Sequence, residues 1–88
     1  MDKTYQSQKV EFTIEGYDML MQEIELNNNY ILSLEDQEDK IERNKRILEK
    51  LYKYKKTSEK GIYYYFFIRE LKDLFIIIFE NIQFKNNM

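Results

Sequence analysis

Ile62-Tyr63-Tyr64-Tyr65-Phe66-Phe67-Ile68, joined through Arg69-Glu70-Leu71-Lys72-Asp73-Leu74 to Phe75-Ile76-Ile77-Ile78-Phe79, is the stretch whose reading decides the fold. Both ends are rich in strand formers, so a β-hairpin turning at Arg69 to Asp73 is one reading. That connection holds no Gly, Asn or Pro, the residues that close tight turns. A helix over 62–84 instead aligns Tyr64, Phe67, Ile68, Leu71, Leu74, Phe75, Ile78 and Ile82 on one wide face. The helix is preferred, and with it a mainly α fold, either an antiparallel helical hairpin or a three-helix assembly. The alternative is α+β, a long helix with a small antiparallel sheet. It draws on Val10, Phe12 and Ile14, which alternate with polar residues as in a short strand.

Upstream, Thr13 is the expected N-cap of a first helix, along which Tyr17, Leu20, Ile24, Ile31 and Leu34 recur at helical spacing. Asn27-Asn28-Asn29 is either a break in it, since Asn favours turns, or a weak spot within one long helix. A second stripe runs Ile41, Ile47, Leu48, Leu51, Tyr52 and Tyr54, and Gly61 is the expected helix-ending residue. The chain of 88 residues reads as one small domain, with 1–9 and 85–88 expected to fray.

Charge is laid out unevenly. Between Val10 and Asp39 there are nine acidic side chains and no Lys or Arg, whereas Lys40 to Lys60 holds nine basic residues against three acids. A net charge of −2 thus hides two poles of opposite sign. On the first helix Glu15, Asp18, Glu25 and Asp36 project opposite the apolar stripe. On the second, Arg43, Arg46, Lys50 and Lys53 do so. Such a layout governs partners and association rates more than fold.

The side chains exclude much chemistry. Without His or Cys there is neither an imidazole base nor a thiolate, and Ser7, Ser33 and Ser58 have no base at a motif-like spacing. The chain is read as a non-enzyme with no cofactor. Glu35, Asp36, Glu38 and Asp39 lack the glycine loop of a calcium-binding hand and read as a solvated acidic turn, so no metal site is assigned. The most apolar segment, 62–79, is interrupted by Arg69, Glu70, Lys72 and Asp73, which argues against a membrane span. The opening residues are polar, unlike a secretory signal, and a cytoplasmic location is expected. Heavy use of Lys, Ile, Asn, Tyr and Phe suggests an AT-rich coding sequence, as in low-GC bacteria, their phages and mobile elements.

Phe12-Thr13-Ile14-Glu15-Gly16-Tyr17-Asp18-Met19-Leu20-Met21-Gln22-Glu23-Ile24-Glu25 resembles the start of the N-terminal coiled coil of bacterial Gre transcript-cleavage factors. Thr13, Glu15, Gly16, Tyr17, Leu20, Glu23 and Glu25 match its cap and first turns. The resemblance implies a helical hairpin whose acidic tip enters the secondary channel of RNA polymerase. The family's tip motif, Gly-Asp-Leu followed by Glu-Asn-Ala-Glu-Tyr, is missing here, and no catalytic residue is carried over.

The leading expectation is a small phage or mobile-element inhibitor or adaptor. Its acidic face of Glu15, Asp18, Glu25 and Asp36, with Met19 and Tyr30 as apolar anchors, would occlude a basic, nucleic-acid-handling groove on a protein partner. The alternatives are nucleic-acid binding through Arg43, Arg46, Lys50 and Lys53, with Tyr52, Tyr54 and Tyr63 to Tyr65 stacking on unpaired bases, and a Gre-like polymerase binder. A homo-oligomer through the apolar C-terminal segment is also open.

Overall fold

The computed structural model describes residues 6–86, which form β1 (Ser7–Phe12), α1 (Ile14–Leu32), α2 (Glu38–Lys53), β2 (Lys56–Ser58), β3 (Gly61–Phe67) and α3 (Ile68–Asn86). The three strands make one antiparallel sheet in the order β1-β3-β2. Of the ends expected to fray, 1–5 and 87–88 lie outside the described residues, and Ser7 to Lys9 pair with Phe67 to Tyr65.

The all-helical expectation is corrected. The deciding stretch is neither one helix nor a hairpin; it changes from strand to helix between Phe67 and Ile68. Up to Phe67 it has period 2, burying Ile62, Tyr64 and Phe66 on one face, and as the central strand it finds backbone partners on both sides. Beyond Ile68 the period is helical, with Leu74, Ile77 and Asn81 buried. No loop separates the two because Glu70 does the work of a cap. Its carboxylate, at the third helical position, accepts the Phe67 N–H at 2.8 Å, which is half of a capping box. The result is three helices against a small antiparallel sheet.

Other local signals resolve differently from one another. Thr13 caps α1, its Oγ1 accepting the Gly16 N–H at 3.0 Å. The Asn run does not break α1, which continues to Leu32. Asn27 is buried and bonded to other helices, so its amide does not compete with its own backbone. Gly61 does not end α2, which stops at Lys53.

One hydrophobic cluster joins all the layers: Leu20 and Ile24 of α1, Ile47 and Leu51 of α2, Ile62, Tyr64 and Phe66 of β3, and Leu74 and Ile77 of α3. Each such burial contributes roughly 2 kcal/mol. The Tyr64 hydroxyl donates to the Leu51 carbonyl at 2.6 Å, supplying a partner to the last turn of α2. Burial, with Tyr17 adding to it, pushes the Tyr64 phenol far above its usual range.

Gly61 sits where the β2–β3 turn meets the end of β1, with φ at 143°. A Cβ there would lie 2.3 Å from the Phe12 carbonyl oxygen. Gly61→Ala is therefore expected to cost about 2 kcal/mol, read as a lower urea midpoint. Gly16→Ala should cost much less, because its Cβ would meet only Thr13 Oγ1 at 3.2 Å.

Candidate functional site

The basic stripe expected on α2 does not survive as one surface. Arg43 is only 8% exposed. Its Nη2 and Nη1 donate to Glu80 Oε1 and Oε2 at 2.9 and 3.2 Å, and its Nε donates to Asn44 at 3.0 Å. Lys50, with its side chain 15% exposed, pairs with Glu70 at 3.3 Å. Arg46 and Lys53 remain exposed. The spacing itself held the signal, since Arg43 lies four and eight residues before Ile47 and Leu51 and so shares their buried side.

Around Arg43 the three helices exchange polar groups. Asn27 of α1 accepts from Arg43 at 3.2 Å and from Asn44 at 2.8 Å, and donates to Asn81 of α3 at 3.0 Å. Asn81 in turn donates to the Glu23 carboxylate at 2.7 Å. Among the described residues no buried side-chain donor or acceptor lacks a partner. Burial opposes ionisation of Glu80, but hydrogen bonds from Arg43 and Asn27 and the charges of Arg43 and Lys40 outweigh it and hold the carboxyl below its usual value. Glu23 is likewise held low, chiefly by the Asn81 hydrogen bond, with Lys85 assisting against desolvation.

The acidic candidates are placed otherwise. Glu15, Asp18 and Glu25 are exposed on α1, and Asp36 is exposed in the α1–α2 link with φ at 58°. Among the described residues none of the four is in an ion pair. Of their apolar neighbours, Met19 is exposed, whereas Tyr30 is engaged, stacked on Phe84 at 3.7 Å between ring centroids. Among the described residues no three carboxylates come together as a metal site, and no helix is long and apolar enough to cross a membrane.

A further surface emerges on the side of the sheet facing away from the core. Alternation along β3 turns Tyr63, Tyr65 and Phe67 outward. The register sets Lys9 opposite Tyr65, Glu11 and Lys56 on either side of Tyr63, and Ser7 opposite Phe67. The Tyr63 and Tyr65 rings meet edge to face at 6.0 Å. Lys9 Nζ lies 4.6 Å from the Tyr63 ring centre, and Arg69 Cζ lies 5.8 Å from that of Phe67. A hydrogen bond to Glu11 at 3.2 Å holds the Lys9 amine above its usual pKa and pairs its charge with a carboxylate on the same face. Three aromatic rings in a row are thus flanked by Lys56, by the Lys9–Glu11 pair and by Arg69. Sequence reasoning singled out the tyrosines but missed these cations. Reading 7–12, 56–58 and 61–67 as paired strands would have found Lys9 and Lys56.

The chain matches no family model, no curated protein and no solved structure.

The helix network carries its own pH dependence. The Glu80 carboxyl is depressed on folding, so its contribution is complete above the ordinary value of 4.5 and is lost as pH falls through the lower folded value. Arg43→Gln removes the main cation from a mostly buried carboxylate and should cost about 3 kcal/mol at neutral pH. It should also flatten the acid limb of stability. Urea denaturation from neutral pH down to about pH 3 measures both effects.

Proposed function

We propose that this protein is a non-enzymatic nucleic-acid-binding module that takes a single-stranded segment across the outer face of its sheet. The observation that carries the reading is the row Tyr63, Tyr65 and Phe67, flanked in register by Lys56 and Lys9 and closed by Arg69. Rings standing on a sheet offer flat faces on which unstacked bases can lie, and every base has a matching face. A duplex hides those faces, so the single strand is the better substrate. Tyr65 is the principal platform, being 44% exposed. In the free protein Lys9 caps the Tyr63 ring and pairs with Glu11 at 3.2 Å, and it exchanges that carboxylate for a phosphate. Phe67 sits half-buried beneath Arg69 and serves to position that guanidinium.

Fluorescence anisotropy with a labelled oligothymidylate or oligouridylate at low salt tests this directly. Tyr65→Ala should weaken binding by ~1–3 kcal/mol. Lys9→Ala should reduce the slope of log affinity against log salt by about 0.7. No binding of either oligomer at low salt would sink the reading.

A second reading is favoured by one observation: Glu15, Asp18, Glu25 and Asp36 stand exposed without cation partners among the described residues. This face suits a protein with a basic nucleic-acid-binding groove. RNA polymerase is the specific candidate that the Gre resemblance brings. It predicts that purified polymerase is retained by the immobilised protein, and that Glu15→Lys with Asp18→Lys abolishes retention while Tyr65→Ala leaves it intact. Equal retention by the reversed-charge variant would dispose of it.

A further inference from the structure

The sheet face leaves the far side of α3 unexplained. Phe75, Ile76, Ile78, Phe79 and Ile82 line one continuous apolar patch. Phe75 and Phe79 are 68% and 61% exposed. This face lies opposite the one that buries Leu74, Ile77 and Asn81. We infer that it is the interface of a two-fold symmetric homodimer, in which α3 packs antiparallel against α3 of a second copy.

Three observations choose a second copy as the occupant. The first is charge. In a chain that is 34% charged, none of the five patch residues carries a charge. A two-fold interface sets a patch against itself, so a charged face would repel its own image while this one does not. An antiparallel pairing centred between Ile78 and Phe79 brings Phe75 level with the second copy's Ile82. Lys72 comes level with the second copy's Lys85, but Lys85 is drawn towards α1 by Glu23 at 3.1 Å, which turns its ammonium away from the pairing.

The second is area. Taking ~200 Å² for a fully exposed Phe and somewhat less for Ile, the five exposures amount to an apolar surface on the order of 500 Å². A standard interface buries about 800 Å² per partner, of which about 65% is apolar in homodimers. The patch is the size of such an interface's apolar core.

The third is continuity with α1. Glu23 and Tyr30 touch α3 through Asn81, Lys85 and Phe84. Met19 and Leu26 lie one helical turn from those contacts and are exposed as well. They extend the apolar rim beyond α3. The dimer leaves the outer face of the sheet open, because that face belongs to the other layer.

Sedimentation equilibrium of the full chain tests the inference. The native protein should have twice the 11.0 kDa of one chain, and Phe79→Glu should halve that mass with an unchanged far-UV circular dichroism spectrum. Should Phe79→Glu fail to fold, Ile76→Lys serves in its place. Because the chain has no cysteine, Phe79→Cys should form an intermolecular disulfide under mild oxidation, while Ser33→Cys should not. A native mass of one chain at micromolar concentration, a dimer indifferent to both charged substitutions, or a monomer that floats with lipid vesicles through Phe79 would each overturn it.

Discussion

The pairing of Arg43 with Glu80 is the constraint on which the helical layer depends. Two hydrogen bonds hold the guanidinium of α2 to the carboxylate of α3, and Asn27 of α1 bonds both residues. Such a pair adds little to net stability, since desolvation offsets most of the attraction. Its effect is selective. Any sliding of one helix past another would strand a buried guanidinium or carboxylate, at a cost of several kcal/mol. The apolar contacts of Leu20, Ile24, Ile47 and Ile77 tolerate several arrangements by comparison. The polar cluster specifies one register and thereby which face each helix turns outward.

The two candidate surfaces follow from that choice. α3 must bring Glu80 and Asn81 inward together with Leu74 and Ile77, so Phe75, Ile76, Ile78, Phe79 and Ile82 point away from the core. The sheet, in turn, covers the cluster with Ile62, Tyr64 and Phe66. Strand alternation then leaves Tyr63, Tyr65 and Phe67 on the other side. One aromatic run of β3 is divided between a packing role and an exposed one by parity alone.

Much of the helical layer was legible because its signals are local. The Thr13 cap needs only Gly16, and the stripe Leu20, Ile24, Ile31 needs only a period. The sheet was less so, because β1 and β3 meet across the whole helical hairpin and β3 runs into α3 with no turn between them. At Phe67 and Ile68 the period changes without a Gly or Pro, and the single marker is Glu70 reaching back to the Phe67 N–H. The functional surface was half visible for the same reason. Tyr63 and Tyr65 stand out by composition, but Lys9 and Lys56 join them only through cross-strand register. Arg43 misled because a cation on an apolar stripe implies a buried anion, and Glu80 lies 37 residues away.

Turning Arg43 and Lys50 inward also changes what the two charge poles mean. With both engaged by carboxylates of α3, a good part of the basic block neutralises the molecule internally, while Glu15, Asp18 and Glu25 stay exposed on α1. The α1 surface is therefore more acidic than the sequence balance implies, while Arg46 and Lys53 stay exposed on α2 and Lys56 and Arg69 stand beside the sheet's outer face. For an approaching polyanion at physiological salt, fields are screened beyond about 8 Å. Within that range α1 repels it, and Lys56 and Arg69 attract it, joined by Lys9 once its pair with Glu11 opens. The same asymmetry that would steer a basic protein to α1 thus steers a nucleic acid to the face where the tyrosines stand. One fold can offer both surfaces without either cancelling the other.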